Sequence, residues 1–230
     1  MTTPSRGFDD AEFAARCKRV QAAMTQADVG ALLLTSEAEI RYFTGFMTQF
    51  WQSPTRPWFV VIPSSGKPVA IIPSIGIPLM RQCYNDNIIS WASPAAHDDG
   101  ITLVVDVIHQ HVAKGGRLGM LMGRETAMRV PLADLFSLKQ ELDEINWHDM
   151  TADIQLIRMV KSPAEQAKLR YICGIVSDVF AHVPHWLQRG MPFDVCFRRF
   201  KIDALGLEEI ARNRAAASKL VDKVDFNAGS

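Results

Sequence analysis

The chain has 230 residues, 48% of them hydrophobic and 22% charged, with lysine plus arginine balancing aspartate plus glutamate at 25 each. That is enough apolar material for a substantial core, and a formal charge of zero provides no field to collect nucleic acid or anionic lipid, so polyanion and membrane-surface partners are set aside. No apolar run approaches the roughly 20 residues that cross a bilayer, and no basic stretch precedes an apolar one at the N-terminus, so a cytoplasmic location is expected.

In chain order, Asp9 or Asp10 can cap a first helix in which Phe13, Cys17, Val20 and Met24 recur at helical spacing, leaving Arg16, Lys18 and Arg19 mostly towards solvent. Val29 to Thr35 reads as a buried strand. Ser36 with Glu39 reads as a capping box for a short helix ending near Gly45. Trp58 to Ile62 and Val69 to Ile72 are strand-like runs joined by Pro63-Ser64-Ser65-Gly66-Lys67-Pro68, which suits an antiparallel hairpin. The pattern then predicts a helix near Ile75 to Tyr84, a strand near Ile88 to Trp91, a helix over Ile101 to Val112 and a strand over Leu118 to Met122. A helix over Pro131 to Leu142 and a strand near Asn146 to Met150 follow. Strands alternating with helices, with a hairpin embedded among them, imply an α/β domain built on a mixed sheet flanked by helices.

The stretch from Ile154 to Arg170 reads as a domain junction. Ser162 at the N-cap, Pro163 at the first helical position and Glu165 at the third form the start signal of a long helix. Its apolar stripe runs through Leu169, Ile172 and Val183, with a kink expected at Pro184 and an end by Gly190. A further helix is expected over Phe193 to Leu205, and the segment from Arg212 is helix-prone. The expected division is therefore 1–160 as a complete first domain and 161–230 as the helical start of a second one that is too short to stand as a catalytic domain.

Several patterns bear on chemistry. The four cysteines, Cys17, Cys83, Cys173 and Cys196, are widely spaced without a Cys-x-x-Cys pair, which favours reduced thiols acting as small buried apolar groups over a disulfide framework or zinc knuckle. Asp178, His182 and His185 fall at i, i+4 and i+7 and could share a helix face as metal ligands, but Pro184 distorts that turn and a solvated helix face has the same pattern. His109 and His111 are expected on the surface. Gly115, Gly116 and Gly119 lead into a strand and so read as a turn, Gly66-Lys67 lacks the upstream glycine of a P-loop, and no Gly-x-Ser-x-Gly elbow occurs. The loop from Phe50 to Trp58 packs aromatics, two prolines and Arg56 ahead of a strand, a composition suited to a rigid wall that presents a cation to a carboxylate. The same residues are equally compatible with Trp51 and Trp58 as core and Arg56 as a surface group.

Arg41-Tyr42-Phe43-Thr44-Gly45-Phe46, the strand from Arg56 to Pro63, Trp91-Ala92-Ser93-Pro94, Asp98-Asp99-Gly100 and Arg158-Met159-Val160-Lys161-Ser162-Pro163-Ala164-Glu165 together resemble the creatinase and prolidase, or pita-bread, family. The loop from Gln49 to Pro57 resembles the branch that includes dimethylsulfoniopropionate lyases and Xaa-Pro peptidase relatives. The resemblance implies an N-terminal mixed α/β domain that homodimerises and leans over the partner's active site, followed by a catalytic domain with two divalent metal ions. It places Trp51 and Arg56 towards substrate, a small molecule or dipeptide, with Arg56 as the carboxylate contact. Asp203, Glu208, Glu209, Asp222 and Asp225 do not match the family's metal ligands, so no catalytic or metal residue and no cofactor is assigned to this chain. The leading expectation is the N-terminal half of such a hydrolase or lyase, inactive alone. The rival is a free-standing binding or interaction module whose last helices dock on the sheet.

Overall fold

The structure, a computed structural model, describes residues 5, 7–52, 56–95 and 97–202. It divides into two compact units, Pro4–Gln166 and the part from Ala167 onward.

In the first unit, α1 (Asp10–Gln26) starts where the Asp9 carboxylate accepts the Glu12 amide at 2.9 Å, and it buries Phe13, Cys17, Val20 and Met24 as the spacing predicts. Arg16 is buried with them, against the expectation of a solvated side chain. It lies between the Phe8 and Tyr42 rings and meets Glu12 one turn earlier in α1 and Glu165 from the far end of the unit, and the contacts to Tyr42 and Glu165 are ones that helical spacing does not encode.

The sheet has six strands in the order β4-β3-β2-β1-β5-β6, made of β1 (Val29–Leu34), β2 (Phe59–Pro63), β3 (Val69–Pro73), β4 (Asn87–Trp91), β5 (Arg117–Met120) and β6 (Asn146–Asp149). β1 pairs antiparallel with β2 and parallel with β5. β2 and β3 form the expected antiparallel hairpin, and β3–β4 and β5–β6 are parallel, so the sheet is mixed. Because alternate side chains point to opposite faces, Leu32, Leu34, Val60, Ile62 and Ile72 enter one core with α1, while Ala31, Leu33, Phe59, Val61 and Ile71 enter the other. The first core also takes in α2 (Glu37–Thr44) and α6 (Thr151–Met159); the second takes in α4 (Ile101–His111) and α5 (Leu132–Glu141).

Four local expectations change. The helix expected over Ile75 to Tyr84 is a 3-10 turn at Ser74–Gly76 followed by the single-turn α3 (Ile77–Met80). Asn85 closes it by donating to the Met80 and Cys83 carbonyls at 2.7 and 2.8 Å. Helix α6, which the sequence reading did not anticipate, starts at Thr151, whose amide donates to the Asp149 carboxylate at 2.9 Å and whose hydroxyl oxygen accepts the Met122 and Gly123 amides from the segment after β5. At α2, Ser36 donates its hydroxyl to the Glu39 carboxylate and makes no side-chain cap bond, because Glu39 is drawn towards Arg158 at 2.5 Å. Of the four free cysteines only Cys17 is buried, its thiol pushed up to about 12 by desolvation, and Cys173 is exposed.

The predicted junction box forms in full: the Ser162 hydroxyl accepts the Glu165 amide at 3.1 Å and the Glu165 carboxylate accepts the Ser162 amide at 2.8 Å. It opens α7 (Pro163–Trp186), which contains Pro184 within its last turn and has no buried residue. After Gly190, at φ 86°, comes α8 (Phe193–Ile202). The expected helix end at Leu205, the segment from Arg212 and the carboxylates Asp203, Glu208, Glu209, Asp222 and Asp225 lie outside the described residues.

Candidate functional site: an aromatic and arginine wall

Beyond the left-handed Gly45 that ends α2, the chain passes Phe46 and makes a 3-10 turn at Gln49–Gln52 before reaching β2. Four rings gather there. Phe46 packs on Trp58 at 5.4 Å between centroids and on Trp51 at 6.1 Å, the two indoles are 5.9 Å apart, and Phe50 stacks on Trp58 at 6.4 Å. Trp51 is 8% exposed and Trp58 2% exposed, so both indoles belong to the first core, with Trp51 at its rim.

Arg129, between β5 and α5, places its guanidinium 5.2 Å from the centre of the Trp51 indole. It donates through Nη1 to the Arg56 carbonyl at 2.6 Å and through Nη2 to the Phe50 carbonyl at 3.3 Å. Burial lowers the pKa of Arg129, and the Glu37 carboxylate opposes that shift. Arg56 is half-buried. Its Nε and the Trp51 Nε1 are buried donors with no hydrogen-bond partner among the described residues. Such a donor costs about 1–3 kcal/mol unless water or a bound acceptor takes it. Arg129, which sequence reasoning missed, thus links the Trp51 ring to the backbone carbonyl of Arg56. Nothing local marks Arg129, because the carbonyls it binds are 73 and 79 residues away in the chain.

The histidines do not assemble. His182 donates its Nδ1–H to the Asp178 backbone carbonyl at 2.7 Å, and the His182 and His185 rings are 6.1 Å apart. With Asp178, Trp186 and Arg199 they line an open groove of about 600 Å³ in the second unit. Among the described residues no group of three His, Cys, Asp or Glu side chains is placed to hold a metal ion. His109 and His111 sit in the last turn of α4, and Gly115 and Gly116 form the turn into β5. No helix among the described residues is long and apolar enough to cross a membrane.

A mixed six-stranded sheet with helices on both faces, closed by a capped helix at its C-terminal boundary, defines an α/β domain of the creatinase N-terminal kind. The chain belongs to the Creatinase/Prolidase N-terminal domain family, whose sequence profile matches residues 16–160. Among solved structures, it is similar to the prolidase of Thermococcus sibiricus (TM-score 0.64, 19% identity) over 80% of this chain and 46% of that one. The dipeptidase PepE of Mycobacterium ulcerans is similar over 79% of this chain and 46% of that one, with TM-score 0.61 and 23% identity. A proline dipeptidase structure from Streptococcus pneumoniae matches over 63% of this chain and 98% of that one, with TM-score 0.51 and 14% identity. At these identities the likeness is one of fold. The chain spans about half the length of the first two structures. No curated protein matches its sequence.

Proposed function

We propose that this chain is the dimerising, substrate-covering N-terminal portion of a dinuclear-metal hydrolase or lyase of the Xaa-Pro peptidase or dimethylsulfoniopropionate lyase type, without turnover of its own. The observation that supports the reading is the loop carrying Trp51 and Arg56 on the family's domain: Arg129 meets the Trp51 ring and the Arg56 carbonyl, and the half-buried Arg56 guanidinium has an Nε without a partner among the described residues. A dipeptide and dimethylsulfoniopropionate share a carboxylate, which Arg56 would take as a charge-assisted acceptor. The proline ring or the sulfonium group would then lie against the Trp51 indole, the sulfonium over the ring face. No group among the described residues fits the two divalent ions that the resemblance implies.

The full chain, isotopically labelled, is titrated with glycyl-proline while the Trp51 indole and Arg56 Nε resonances are followed. Saturable shifts confined to this wall are expected, with a Kd of about 1 mM or weaker because one wall supplies only part of a closed site, and Arg56→Met should abolish them. The chain is also assayed with Mn, Fe or Zn against Xaa-Pro dipeptides and dimethylsulfoniopropionate, and its mass in solution is measured. Metal-dependent turnover, a monomer at all concentrations, or shifts that survive Arg56→Met would each refute the corresponding part of the reading.

A further inference from the structure

Arg56 lies in a bend between the 3-10 turn at Gln49–Gln52 and β2, outside any helix or strand that would fix its backbone. What holds it is a side chain from another part of the fold. One guanidinium takes the Arg56 carbonyl at 2.6 Å and the Phe50 carbonyl at 3.3 Å while lying 5.2 Å from the centre of the Trp51 ring, and Glu37 in the first turn of α2 supplies the opposing charge. A planar fork can bridge two carbonyls in a set geometry, whereas the single ammonium of lysine, on a flexible stem, cannot hold both in the same way.

We propose that Arg129 is a positioning residue for the substrate wall: by tying the backbones of Phe50 and Arg56 together, it sets where the Arg56 guanidinium meets a substrate carboxylate and where the Trp51 ring meets the rest of the substrate. This rests on the reading of Trp51 and Arg56 as substrate-facing. Arg129 touches the backbone beneath the wall, so its effect passes through Trp51 and Arg56.

The test compares the full-length chain with Arg129→Lys and Arg129→Met, reading amide hydrogen exchange and glycyl-proline affinity on the same samples. In both variants the amides of Trp51, Gln52, Arg56 and Trp58 should exchange about tenfold faster, while those of β2 and β3 remain unchanged. Glycyl-proline should bind about fivefold more weakly, and lysine should rescue neither property although it keeps the charge. Unchanged exchange at those four amides, acceleration spread across the sheet, rescue by lysine, or looser amides with undiminished affinity would each overturn the proposal. If the unsubstituted chain binds no glycyl-proline and the exchange change is still confined to the four amides, the substrate-facing reading fails while the backbone tie at Arg129 stands.

Discussion

Arg16 shows how much of this domain's closure rests on single side chains. It is 3% exposed and donates through Nε to Glu12 at 2.8 Å, through Nη1 to the Tyr42 carbonyl at 2.9 Å and through Nη2 to Glu165 at 3.0 Å. The Phe8 and Tyr42 rings lie 4.1 and 4.3 Å from its guanidinium carbon. A buried ion pair is weak evidence of net stabilisation, since desolvation offsets attraction, but removing one partner strands the others. Arg16→Met would leave Glu12 and Glu165, which are 11% and 13% exposed, without their cation. We expect a loss of about 3–5 kcal/mol in urea unfolding, with little recovery in Arg16→Lys, because the ammonium cannot reach all three acceptors in the fork geometry. A loss below about 1 kcal/mol would show that the network is incidental. From the sequence Arg16 was indistinguishable from Lys18 and Arg19, because two of its partners, Tyr42 and Glu165, reach it only through the folded structure.

Among the elements, α4 depends on the turn that precedes it. Gly100 is left-handed at φ 89°, and a Cβ there would lie 2.5 Å from the Trp91 ring, so the turn cannot take another residue without strain. Asp98 then accepts the Ile101 and Thr102 amides at 2.6 and 3.3 Å and the Thr102 hydroxyl as well. Burial pushes the Asp98 carboxyl up, but the Thr102 hydroxyl and the amides of Ile101, Thr102 and Gly100 outweigh it and hold the group below its ordinary 3.8. A depressed folded-state pKa stabilises the fold above the ordinary carboxylate value, and that contribution is lost as pH falls through the folded-state value. Asp98→Ala should therefore cost about 1 kcal/mol at about pH 7, and the gap to the unsubstituted chain should shrink at about pH 3, read as urea midpoints. A gap that is constant across that range would remove the carboxylate from the account. The strands, the hairpin, α1 and the Ser162–Glu165 box were legible because each is specified by residues within a few positions. The Thr151 contacts at the start of α6 and the diversion of Glu39 were not, because Met122, Gly123 and Arg158 act through the folded structure, whereas the truncation of α3 was missed although Asn85, which closes it, is only five residues from Met80. The site divides in the same way: the aromatic loop and Arg56 stand out in the sequence, and Arg129 does not.

Among the described residues, apolar burial is concentrated in one unit. Both core clusters draw every member from Phe8 to Ile157, whereas α7 buries nothing and leaves Leu169, Ile172, Ile175, Val176 and Phe180 exposed. Among the described residues, most of the favourable transfer free energy therefore belongs to the α/β unit, and the exposed apolar residues of α7 add association-prone area. A chain ending at Gly174 keeps the Ser162–Glu165 box and the Arg16 contact to Glu165 and removes most of that surface. It should unfold cooperatively in urea within about 1 kcal/mol of the full chain and should bind much less of a dye that reports exposed apolar surface. Loss of the cooperative transition on shortening, or a drop of more than about 2 kcal/mol, would mean that residues beyond Gly174 supply stability that the two clusters do not, and the assignment of the core to the first unit would have to be abandoned.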